Sequence, residues 1–180
     1  MVSRQESKHL FLSSSFEVRR AEPIRNPEIT AILSPKLDGI DLDGFTLDRL
    51  SRGGACLRAC IATLAQTGFR GDEVSLISGK QFGRTCLSRW HLRWFYRGEM
   101  RASLTKEELK SLKKGDFAVL IPPPSTADQF GLAWGDRPIW LPFDANLPVN
   151  AARELRELEL RCPVTDDMRR DTPLFAFNDG

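Results

Sequence analysis

Arg70 has the most specific chemical potential in the sequence, within Gln66-Thr67-Gly68-Phe69-Arg70-Gly71-Asp72-Glu73-Val74-Ser75-Leu76. A guanidinium fixed at a tight corner suits a phosphate, because it donates two parallel hydrogen bonds to the oxygens. The same spacing also describes an ordinary surface arginine in a turn. Three further arginines, Arg89, Arg93 and Arg97, interleave with Trp90, Trp94 and Tyr96. Basic and aromatic residues in alternation can bind nucleic acid by pairing charge with stacking. The simpler account of the alternation is a half-buried strand with its charged side in solvent. Cys56 and Cys60 stand four apart on one predicted helix, but His9 and His91 have no zinc-type spacing to them. The four cysteines (Cys56, Cys60, Cys86, Cys162) are expected to be reduced thiols, which points to an intracellular setting. Neither a metal nor a cofactor is expected. The acids Asp38, Asp41, Asp43 and Asp48 lack the alternation and closing Glu of a calcium loop.

The elements that would position these residues follow from periodicity. Leu50, Leu57, Ile61, Leu64 and Ala65 recur at helical spacing, so Leu50 to Ala65 is expected to be a helix with a core face. Gly68 is placed to end it in the left-handed conformation. Asp72 and Glu73 suit the positive end of a second short helix, which would leave Arg70 in a helix–turn–helix corner. Ile29 to Leu33 predicts a short helix after Asn26-Pro27. Cys86 to Tyr96 and Phe117 to Ile121 read as strands, with Pro122, Pro123 and Pro124 stopping the second. Thr105 and Glu108 form a capping box for a short helix ending near Lys113. Arg137 to Phe143 reads as an edge strand, because prolines lie at both flanks. Asn150 to Leu160 predicts an amphipathic helix with Ala151, Leu155 and Leu158 inward, and its Arg/Glu alternation reads as a solvated face. Cys162-Pro163 ends that helix, and Pro173 to Phe177 is a last strand-like run.

The chain has 180 residues, 41% of them hydrophobic and 28% charged, which fits one globular domain with a real core. A net charge of +2 permits nucleic-acid binding without demanding it. No apolar run approaches the roughly 20 residues that span a bilayer, and Met1 to Lys8 is too polar for a signal peptide. Residues 1–48 form an irregular segment broken by Pro23, Pro27, Pro35, Gly39 and Gly44. Residues 49–180 carry the periodic elements. The expected class is α+β, with helices packed on a small antiparallel β-sheet.

In order, G-F-R-G-D-E-V at Gly68, S-T-A-D-Q-F-G at Ser125, R-C-P-V at Arg161 and P-L-F-A-F-N-D-G at Pro173 are similar to the catalytic domain of tyrosine recombinases, the phage-type integrases. The divergent forms of eukaryotic mobile elements are the most similar. Those proteins carry T-G-x-R-x-x-E, S-K-x-D-x-F-G, C-P-V and P-L-F in the same order, and the resemblance covers roughly Leu50 to Gly180. The family cleaves DNA by attack of a tyrosine on a phosphodiester, with two arginines and a His or Trp neutralising charge and a hairpin lysine protonating the leaving oxygen. The resemblance places Arg70 at the first catalytic arginine and Glu73 at its supporting acid. The hairpin lysine position falls on Thr126, which cannot act as a cationic acid. The family's H-x-x-R box and nucleophilic tyrosine lie beyond Gly180, and the one tyrosine, Tyr96, is upstream in a predicted strand.

By itself this chain is therefore expected to leave DNA uncut. The resemblance implies a truncated catalytic domain, preceded in residues 1–48 by a remnant of the family's DNA-clamping domain. DNA would be a weak, phosphate-held partner through Arg70, Arg89, Arg93 and Arg97, in the nucleus if the source is eukaryotic. A rival reading is a protein-interaction or inert module of the same descent. It would show an apolar surface, left open to self-association or to a chain completing the missing half. A thiol enzyme has only Cys56 and Cys60 behind it.

Overall fold

The computed structural model describes residues 26–34, 41–42, 45–46, 48, 50–69, 82, 86–123 and 137–176. Arg70, Glu73 and Thr126 lie outside the described residues, as does the expected helix at Asp72. The protein is α+β. Among the described residues the elements are α1 (Asn26–Ile32), β1 (Asp41–Leu42), β2 (Phe45–Thr46), α2 (Arg52–Thr67), β3 (Leu92–Tyr96), β4 (Glu99–Arg101), α3 (Lys106–Lys110), β5 (Phe117–Leu120), β6 (Ile139–Pro142) and α4 (Ala151–Arg161). β1 and β2 pair with each other. The main sheet is antiparallel throughout, in the order β4-β3-β5-β6.

Its register divides the side chains cleanly. Trp94 pairs with Ala118 and Leu92 with Leu120, while Ala118 faces Leu141 and Leu120 faces Ile139. These residues join the core, where α4 packs on β5 and β6 and α2 packs on α4. The opposite face carries Phe95, Phe117 and Trp140 in mutual edge-to-face contact, with centroids 5.4 to 6.1 Å apart. Beside Phe95 lies Met100, and Met100 and Trp140 are 46% and 44% exposed.

Helix α2 begins two residues later than its periodicity suggests. Ser51 is the N-cap, its Oγ accepting from the Gly54 N–H at 2.9 Å, and Leu50 stands outside the helix and exposed. The buried stripe is built from the small residues Ala55, Cys56, Ala59 and Ala62, which let α4 approach closely; Ala65 is exposed. Gly68 ends the helix at φ 69°, and its N–H donates to the Leu64 carbonyl. The far end of α2 also caps α4: Gln66 Oε1 accepts from the Ala151 N–H at 2.7 Å, while Asn150 Oδ1 accepts from the Arg153 N–H. The capping box of Thr105 and Glu108 forms as the sequence predicts. Of the strand-like run expected from Pro173, the described residues 173–176 form no strand: Pro173 makes a single bridge to Ser88 and the rest is turn and coil.

The Arg/Glu alternation of α4 is solvated only in part: Arg156 and Glu157 pair with each other while partly exposed. Glu154 and Glu159 are buried, because arginines distant in sequence reach them inside the fold. Arg58, fully buried in α2, donates from Nε to Glu154 at 3.4 Å and from its terminal nitrogens to the Ile32 and Leu33 carbonyls at the end of α1. Glu159 is gripped from two sides. Arg169 donates to both of its oxygens at 3.0 and 3.1 Å, and Arg89 donates to Oε1 at 3.1 Å. Arg89 also donates to the carbonyls of Leu174, Cys162 and Ala176, tying the 3₁₀ turn Arg89–His91 to the end of the described chain. Removing one member of such a cluster leaves buried charge uncompensated. Glu159→Ala is expected to destabilise the protein by about 3–5 kcal/mol in urea unfolding; a loss below about 1 kcal/mol, the scale of a surface pair, would contradict this wiring.

Candidate nucleic-acid interface

The expected strand Cys86–Tyr96 is two structures, and the difference decides which arginines reach solvent. Ser88 to His91 forms a tight turn, with the His91 N–H donating to the Ser88 carbonyl at 3.0 Å. His91 Nδ1 lies 2.9 Å from both the Ser88 N–H, from which it accepts, and the Ser88 hydroxyl. The turn breaks the alternation of a strand, so Arg89 points inward. Arg89 is fully buried and engaged with Glu159, so it is withdrawn from the predicted DNA-binding set. Trp94 and Tyr96 also face the core, which dissolves the apparent interleaving. Of that aromatic trio only Trp90 is exposed, at 37%.

What assembles around Trp90 is a compact cationic platform. The Trp90 N–H donates to the Arg169 carbonyl and the Arg89 N–H to the Thr172 carbonyl, both at 2.9 Å, so the 169–172 segment runs beside the turn. That pairing brings exposed Arg170 to the indole. The guanidinium carbons of Arg170 and Arg93 each stand 4.3 Å from the ring centroid of Trp90. Burial, then the neighbouring Arg169 and Arg170, push the Arg93 pKa below its ordinary value, against the opposing pull of Asp166. Arg169 is the buried partner of Glu159, so the platform lies next to an internal cluster of two guanidiniums and one carboxylate. Arg169 and Asp166 also line a cleft of ≈ 440 Å³ that includes Ser103, Lys106 and Thr165.

Arg97 does not join this platform. It occupies the two-residue turn between β3 and β4 at φ 50°, followed by Gly98 at φ 88°, as the right-handed twist of a hairpin favours. Its N–H donates to Asp116 Oδ1 at 3.0 Å and its guanidinium lies 4.9 Å from the Tyr96 ring centroid. It stands four positions along the chain from Arg93, or roughly 13 Å at the rise of a strand. Arg170, Arg169 and Glu159 escaped sequence reasoning. The signal that could have flagged buried ion pairs was Arg58, a charge in the middle of the small-residue run of α2.

The remaining candidates carry less. All four cysteines are free thiols, and burial pushes Cys56 up to about 12 and raises Cys60 as well, so both are neutral and poor nucleophiles. Tyr96 is 6% exposed, with its hydroxyl 2.8 Å from Ser111 Oγ. No described helix is long and apolar enough to cross a membrane. No family model, curated protein or solved structure matches the chain.

His91 gives the platform a pH dependence. Burial, then Arg93, lower its pKa below the ordinary 6.5. A depressed native value means the unfolded chain takes up the proton first, so the contribution is intact above 6.5 and lost as pH falls through the native pKa. The unfolding free energy is therefore expected to decline as pH drops below neutrality, and His91→Asn, which keeps an acceptor for the Ser88 N–H, should flatten that decline. Superimposable profiles for the two proteins would rule out His91 as its source.

Proposed function

We propose that this chain is a tyrosine-recombinase-like module that holds nucleic acid by its phosphates and does not itself cleave it. The observation that carries the reading is the gathering of Arg93 and Arg170 on exposed Trp90. Two guanidiniums gathered on one indole, one from β3 and one from the segment after α4, offer phosphate oxygens neighbouring donors. The left-handed end of α2 at Gly68 supports the recombinase reading of Arg70, because it turns the chain immediately before that residue. Glu73 would support that corner, and Thr126 would contribute no acid. Cleavage has no nucleophile in this scheme: Tyr96 is buried against Ser111, and no second tyrosine exists in the sequence. A net charge of +2 keeps the binding weak, and contacts to phosphates make it salt-sensitive. The setting would be intracellular, and nuclear in a eukaryote.

A protein-interaction role is the second reading, favoured by the exposed aromatic face of the sheet around Phe95, Phe117 and Trp140. Fluorescence anisotropy with a short DNA duplex at low and moderate salt separates the two. Affinity should fall steeply with salt, and Arg93→Gln and Arg170→Gln should each weaken it roughly 2- to 5-fold, the range of an exposed ion pair. Arg70→Ala should weaken it as well, while a suicide substrate should yield no covalent adduct. Flat anisotropy at both salts would remove the nucleic-acid reading, and an adduct would remove the non-cleaving one.

A further inference from the structure

We infer that the Trp90 platform is a stacking site for an unpaired nucleobase flanked by phosphates, so that the chain prefers single-stranded to duplex nucleic acid. The inference rests on the nucleic-acid reading above and deepens it by naming the form of the ligand. A duplex offers a protein its regularly spaced phosphates and the edges of its bases, while the faces of the bases are spent on one another. A cation set meant for that surface would be spread out. Here the half-buried guanidinium of Arg93 and the exposed one of Arg170 converge on a single indole, each 4.3 Å from its centroid.

The outcome is a compact stack of planes, with the guanidiniums of Arg93 and Arg170 lying over the indole ring. Over a third of Trp90 remains open to solvent despite both cationic neighbours. An indole and a guanidinium are both planes on which an unpaired base can stack, and every base has a face to offer. The charge balance points the same way. Glu159 is already engaged by Arg89 and Arg169, and the carboxylate acting on Arg93 is Asp166, set against Arg169 and Arg170. Two like charges held on one ring repel, and a phosphate beside a stacked base relieves that repulsion. Arg170 is free to follow the strand, since its side chain is exposed. Trp90 is fixed by its backbone bond to Arg169 and by the turn capped by His91.

The test needs only the whole chain and three labelled probes of equal length: a thymine oligonucleotide, a duplex, and an abasic oligonucleotide with the same phosphates and no bases. By anisotropy at one salt concentration, the thymine strand should bind about 10-fold or more tighter than the abasic strand, since stacking of each base is worth ≈ 1–3 kcal/mol. It should also bind tighter than the duplex. Trp90→Ala should cost the thymine strand roughly 5- to 100-fold and leave the abasic strand within about 2-fold. Trp90→Phe, which keeps an aromatic face and the packing volume, should restore most of the difference. Equal binding of thymine and abasic strands by the unaltered protein would overturn the stacking site and leave phosphate binding standing. Failure to bind any of the three would remove both readings together.

Discussion

The Glu159 carboxylate is the point at which the separate parts of this fold are fastened. It projects inward from α4, takes a two-pronged contact from Arg169 and a third from Arg89, and is almost wholly excluded from water. Charge in an interior is tolerable only where partners and hydrogen bonds satisfy it. That requirement fixes three segments at once: the helix, the 3₁₀ turn before β3, and the irregular segment after α4. Arg89 strengthens the fastening with carbonyls of Cys162, Leu174 and Ala176. Arg58 and Glu154 repeat the device at the other end of α4, where Arg58 also satisfies carbonyls at the end of α1. The ionic interior is thus less a source of net stability than a specification of which segments lie side by side.

The surface chemistry follows from that interior. Because Arg89 and Arg169 turn inward to reach Glu159, their sequence neighbours Trp90 and Arg170 are turned outward and meet. One turn therefore sends one arginine into the core and sets an indole on the surface. The platform inherits its rigidity from the buried cluster behind it, which is what a phosphate or base site needs from its scaffold. The outer sheet face around Trp140 has a different character: aromatic, edge-to-face, and supported by strand register rather than by ion pairs.

Much of the architecture was legible in the sequence because it is written in local chemistry. Gly68 ends α2, Thr105 and Glu108 open α3, Asn150 opens α4, and the prolines around Ile139–Pro142 place β6 at a sheet edge. The inward set of α4 was equally plain from Ala151, Leu155 and Leu158. The ion pairs were not, since Glu154 meets an arginine 96 residues away and Glu159 one that is 70 away. No local pattern distinguishes such a glutamate from a solvated one. The direction of Arg89 was hidden for a related reason: a single 3₁₀ turn reverses the parity on which a strand reading of Cys86–Tyr96 depends. Arg93 is half-buried beside Trp90 rather than fully in solvent, and Arg170 entered only through backbone pairing that sequence spacing does not reveal.

The central claim is that Arg93 and Arg170 touch nucleic-acid phosphates while Arg89 belongs to the core. The most direct measurement is the dependence of the single-strand dissociation constant on salt, for the unaltered protein and for the Arg93→Gln/Arg170→Gln double variant, with unfolding midpoints recorded on the same samples. Each phosphate contact contributes about 0.7 to the slope of log affinity against log salt for a single strand, so the account predicts a slope shallower by about 1.4 in the double variant. The unfolding midpoint should be nearly unchanged. Identical slopes, or a loss of binding that merely tracks a loss of fold, would contradict it.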